Sequence, residues 1–127
     1  MKKGLLVLFI AIIAVVSSCS KDAKLNRRLD GEWKTTSIGG ETIAEYWGED
    51  GSITWKFEKE DKLTGSGSIT YSFFGVVESE PFTYTIKDEA ITLTIDGDNE
   101  IFSVTTYDTD KIEMKDAYGD VWVLDPK

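Results

Sequence analysis

Beyond residue 30 the apolar side chains of this chain return at every second position. Ile53, Trp55 and Phe57 are interleaved with Thr54, Lys56 and Glu58, and Phe82, Tyr84 and Ile86 with Thr83, Thr85 and Lys87. Ile91, Leu93 and Ile95 alternate with Thr92, Thr94 and Asp96, while Ile112 and Met114 sit among Lys111, Glu113 and Lys115. Successive side chains of an extended backbone point to opposite faces, so each run predicts a strand with one oily and one wet side. Strands of this kind belong in antiparallel sheets that turn the oily face onto a core.

The connections agree. Lys59-Glu60-Asp61, Lys87-Asp88-Glu89, Asp96-Gly97-Asp98-Asn99, Asp108-Thr109-Asp110 and the stretch from Asp116 to Asp120 are short polar turns. Among them Asp96-Gly97 is the strongest hairpin signal, because a two-residue hairpin turn needs φ > 0. Turns that recur about every ten residues suit an all-β sandwich or barrel. Eight or nine strands from Glu32 onward, joined by hairpins, form an up-and-down meander. Closing it into a small barrel over residues 31–127 would remove both exposed edges; an open β-sandwich is the alternative. Gly65 and Gly67 share a face with Leu63, Ile69, Tyr71 and Phe73. Either they bend an inward strand or leave room inside it, or they belong to a flexible Gly-Ser loop. Thr42 to Glu45 has capping-box form, with Ile43, Tyr46 and Trp47 able to share a helical face; an ordinary strand is an equal contender.

The first 18 residues read as an export address. Lys2 and Lys3 precede an aliphatic run from Leu5 to Val16, followed by Ser17-Ser18. That is the charged, apolar and small-residue order of a signal peptide. As a helix, Gly4 to Val16 would cover roughly 20 Å, short of the roughly 30 Å of a bilayer core. Cys19, the single cysteine, follows at once. Val16-Ser17-Ser18-Cys19 resembles the lipobox of bacterial lipoprotein precursors, which implies cleavage before Cys19 and acylation of its thiolate and amine, palmitate included. Two or three acyl chains hold a protein at a membrane where one is marginal. Residues 19–30 are expected to form a polar lipid-anchored stalk, with Ala23, Leu25 and Leu29 on one side of a short helical turn.

Loss of Lys2 and Lys3 leaves 12 basic against 23 acidic residues, a net charge of −11. A chain so acidic is repelled by nucleic acid and by anionic headgroups, so membrane attachment falls to the lipid.

Leu29-Asp30-Gly31-Glu32-Trp33 resembles the opening of the lipocalin-like domains carried by many small bacterial lipoproteins. The resemblance implies an eight-stranded barrel whose base is closed by Trp33, with Gly31 permitting the entry turn. The run from Tyr84 to Ile95 is similar to the central hairpin of such domains. The Thr-Asp-Tyr motif of larger lipocalins has no counterpart in Thr105-Thr106-Tyr107-Asp108, and no arginine follows Arg28.

The chain has no histidine. With Cys19 assigned to lipid, Ser-His, Cys-His and His-metal arrangements fall away. Asp96 to Glu100 lacks the spaced oxygen ligands of an EF-hand loop and reads as a solvated turn. The expectation is a protein without catalytic residues, metal or cofactor, anchored in the bacterial cell envelope (the outer membrane is favoured, either face). It would bind a small apolar ligand inside its barrel. Trp55, Phe57, Tyr71, Phe73, Phe82, Tyr84 and Phe102 are the inward candidates for that ligand. If they fill the core instead, an interaction module for another envelope protein is the competing expectation. Phe74, Val76 and Val77 beside Gly75 are expected at a hairpin tip.

Overall fold

A computed structural model describes residues 21–127. The expected leader, residues 1–18, and Cys19 lie outside the described residues. Nine strands follow in chain order: β1 Gly31–Ile38, β2 Glu41–Thr42, β3 Ser52–Lys59, β4 Thr64–Phe73, β5 Val76–Lys87, β6 Ala90–Ile95, β7 Asp98–Tyr107, β8 Ile112–Lys115 and β9 Val121–Pro126. All pairings are antiparallel, and from β3 to β9 each strand pairs with the next in sequence. β1 pairs with β3 on one side and with β9 on the other, closing eight strands into a barrel. The two-residue β2 is an addition that folds back on the end of β1. Closure between Trp33 and Pro126 at one end and Ile38 and Trp122 at the other sets aside the open sandwich.

Four hairpins turn on two residues, Gly39-Gly40, Phe74-Gly75, Asp88-Glu89 and Asp96-Gly97, and all eight have positive φ. This geometry matches the right-handed twist of the flanking strands, as in type I′ turns. Asp96-Gly97 behaves as its sequence predicts. Asp88-Glu89 is less expected, since neither residue is glycine or asparagine. Its support comes from outside the hairpin. The Asp22 carboxylate accepts the backbone N–H of Asp88 at 3.1 Å and of Glu89 at 2.9 Å.

Asp22 belongs to a helix, α1, spanning residues 21–29. Here the expected stalk is corrected. Asp22, Leu25, Asn26 and Leu29 recur at helical spacing on one face, and all four are buried. The helix lies across the base of the barrel as a plug. Asn26 Nδ2 donates to the carbonyls of Asp61 at 2.8 Å and of Lys62 and Thr64 at 3.2 Å, and Asn26 Oδ1 accepts the Tyr84 hydroxyl at 2.6 Å. Burial, with Asp30 and Glu60 nearby, pushes the Tyr84 hydroxyl far up, so it stays a donor. The Trp33 indole N–H donates to the Leu29 carbonyl at 2.8 Å, and Trp33 is buried at this end. Gly31, at φ +130°, makes the break between helix and strand, a conformation that side chains rarely adopt.

At the opposite end a second helix, α2, spans Ile43–Trp47. Thr42 caps it by accepting the Glu45 N–H at 3.3 Å. Ile43 is buried and Trp47 half-buried, whereas Tyr46 stays exposed. The helix therefore settles the ambiguity at Thr42 to Trp47, and it covers only one side of the barrel's open end.

Candidate ligand site at the open end of the barrel

The barrel interior is occupied by its own aromatic rings. Trp55 and Phe57 on β3 stack at 5.7 Å with 1° between their planes. Phe82 packs edge-on to both, at 6.1 Å from Trp55 and 5.5 Å from Phe57, and Tyr84 lies 5.6 Å from Phe57. Glycine makes the space for these rings. Gly67 lies opposite Phe57 and Phe82, and Gly65 opposite Tyr84. A Cβ on Gly65 would overlap the Tyr84 hydroxyl and the Glu58 carbonyl, and one on Gly67 the Lys56 carbonyl. Inward glycines thus bring neighbouring backbone and rings close together rather than leave a void. The Trp55 indole N–H is satisfied by the buried Thr35 hydroxyl at 2.8 Å.

The seven aromatics named from the sequence divide into three groups. Trp55, Phe57, Phe82 and Tyr84 are core, each no more than 3% exposed. Tyr71 and Phe73 stand half-buried at the open end, where they hold Trp47 of α2 at 6.1 and 5.1 Å. Phe102, itself buried, borders a cavity.

That cavity has a volume of about 470 Å³ and sits where β7 runs past the end of β8. β8 ends at Lys115, opposite Ser103, so Asp98 to Phe102 have no β8 partner. The β8–β9 turn stands across the gap. Phe102 and Trp122 make the apolar floor, 5.8 Å apart and edge-to-face, with Trp55 behind them at 6.0 and 5.8 Å. Ile101, Ala117 and Tyr118 add apolar surface around the rim; Ile101 is 54% exposed and Tyr118 93%.

Asp116 fixes this turn. Its Oδ1 accepts the N–H groups of Tyr118 and Asp120, and its Oδ2 accepts the Trp122 indole N–H at 3.0 Å. Burial opposes its ionisation, but the indole and backbone donors outweigh that and hold its carboxyl below the usual range. One carboxylate therefore orients both a wall and the floor of the cavity.

Trp122 was not among the residues picked from the sequence. Val121-Trp122-Val123-Leu124 shows no clean alternation. Its facing follows from register: Trp122 lies opposite buried Met114 and two residues before buried Leu124.

No family model matches this chain, and no curated protein does. Its fold does have solved counterparts. A lipocalin-like protein from Bacteroides uniformis is similar to 79% of this chain and 99% of its own length, with a TM-score of 0.60 at 13% sequence identity. A redesigned β-barrel is similar over 80% of this chain and 94% of its own, with a TM-score of 0.55 at 15% identity. At such identities what is shared is architecture. Closed by β1 and β9 and plugged at its base by a helix, the chain has a lipocalin-like eight-stranded barrel fold.

Proposed function

We propose that this protein is a lipid-anchored, non-catalytic binder of a small ligand in the bacterial cell envelope, and that it holds the ligand at the mouth of the barrel. The observation that carries this reading is the 470 Å³ cavity floored by Phe102 and Trp122. Its size lies in the range of small-molecule sites, which pair apolar walls with a few fixed polar groups. The filled interior moves the expected apolar contact from the barrel axis to its rim. Lipid on Cys19, two residues before the described part of α1, would tether the base and leave the mouth facing away from the bilayer.

Residues 20–127, purified natively from an exporting host, should carry a bound small molecule by native mass spectrometry. They should also change tryptophan emission when titrated with an apolar probe such as naphthylmethanol. Ile101→Ser with Tyr118→Ala, both at exposed positions, should weaken that probe about tenfold. An apo mass together with no emission change would overturn the ligand reading. Mass spectrometry of the full-length protein from the membrane fraction should find residues 1–18 removed and acyl chains on Cys19; an uncleaved, unmodified chain would overturn the anchor.

The competing reading, contact with another envelope protein, draws on the β4–β5 tip. Phe74 there is 81% exposed and held at φ +50°, a costly combination for a bulky residue. An empty mouth, with a partner crosslinked through this tip in intact envelopes, would favour it.

A further inference from the structure

The charge of this protein is concentrated at one end. The four segments that form the mouth, residues 39–52, 71–80, 95–101 and 116–122, contain eleven carboxylates and no lysine or arginine. The rest of the described chain carries twelve residues of each sign. Nearly all of the net charge of residues 21–127 therefore sits at the open end, where Lys115, at the end of β8 and beside Gly119 of the following turn, is the neighbouring cation. Neither described ion pair, Lys56–Glu58 nor Lys111–Glu113, reaches it.

Part of this charge stands on the cavity wall. Glu100 lies opposite buried Leu93, and Asp98 opposite Ile95, so both carboxylates share the interior-facing side of β7 with Phe102. Glu80, opposite buried Ile69, occupies the same side of β5. Tyr71 reports on this convergence: burial first, then the Glu80 and Glu100 carboxylates, push its hydroxyl up. Asp116 is satisfied by the turn it organises, but Asp98 and Glu100 accept no hydrogen bond from any described side chain or turn. The cavity thus combines two aromatic side chains with an excess of negative charge. An aromatic quadrupole and a carboxylate both attract a cation, and their effects add.

We propose that the mouth cavity selects organic cations: an amine or quaternary ammonium on a flat or compact apolar body. The body would rest on Phe102 and Trp122, and the cationic group would face Asp98 and Glu100. This rests on the mouth being a ligand site, and it adds the sign of the ligand's charge. The same excess would raise the local concentration of cations and repel anionic amphiphiles such as fatty acids.

Three probes with one ring system separate the two claims: naphthylmethylammonium, the neutral naphthylmethanol and the anionic naphthoate, each titrated calorimetrically against residues 20–127. The cation should bind at least about tenfold more tightly than the neutral probe, and naphthoate more weakly than either. Raising ionic strength should narrow the gap by screening. In the Asp98→Asn/Glu100→Gln double variant the cation-to-neutral affinity ratio should fall toward one, with near-ultraviolet circular dichroism confirming an intact fold. Equal binding of cation and neutral probe by the parent protein would overturn charge selection while leaving the ligand site standing. Binding of none of the three would remove both.

Discussion

Gly67→Ala is expected to destabilise the domain by about 3 kcal/mol or more, the upper end of what overpacking a core costs. A single methyl group has this effect because there is nowhere for it to go. It would overlap the Lys56 carbonyl oxygen on β3 and come within 2.9 Å of the Phe82 ring. The ring could rotate only against Trp55 and Phe57, which already contact it. The carbonyl is part of a neighbouring strand and can move only if β3 does. For a domain of this size the loss corresponds to a fall in Tm of about 10 °C or more. Ser68→Ala, one residue along and off the interior-facing side, should change stability by less than about 0.5 kcal/mol. Urea denaturation of the two variants beside the parent measures the contrast. Equal midpoints would mean that the interior is looser than these contacts describe.

A comparable effect is expected from the base. Asn26→Leu conserves volume approximately but removes both halves of a buried polar junction. The carbonyls of Asp61 and Lys62 would lose their shared donor and the Tyr84 hydroxyl its acceptor, while the Thr64 carbonyl keeps the N–H groups of Glu60 and Asp61. Leaving buried polar groups unsatisfied costs about 1–3 kcal/mol each; with partial access to water at the carbonyls, a total of about 3 kcal/mol is expected. Asn26→Asp should be as damaging, because it points a carboxylate at three carbonyl oxygens. Hydrogen exchange distinguishes this from a general loss of packing. Amides of α1 and of the turn at residues 60–63 should lose protection before those of β6 and β7. If protection falls uniformly, the helix is not a separable plug.

The two perturbations act at different levels. Gly67 limits how closely two strands and a ring approach within the barrel wall. Asn26 ties a helix to a turn 35 residues away in the chain. Neither disturbs the mouth directly, so ligand binding and stability can be tested apart. The cavity hangs on local features instead: the length by which β7 outruns β8, and the Asp116 carboxylate that holds the following turn to Trp122.

Alternation of side chains sufficed to identify strands, their inward faces and the hairpin at Asp96-Gly97, because a two-residue period and a φ > 0 turn are properties of a few neighbouring residues. Trp55, Phe57, Phe82 and Tyr84 were recognisable as inward for the same reason. What they do inside was decided only by the tertiary structure. Rings from β3 and β5 meet over Gly65 and Gly67 and fill the space that a ligand would need, and no local pattern encodes the distance between strands. The helical plug was half visible. Leu25 and Leu29 lie four residues apart, but Asp22 and Asn26 read as solvated until the fold supplied backbone partners 35 to 67 residues away. The net negative charge could be counted in the sequence. Its confinement to one rim follows from antiparallel connectivity, which gathers alternate turns at the same end of the barrel.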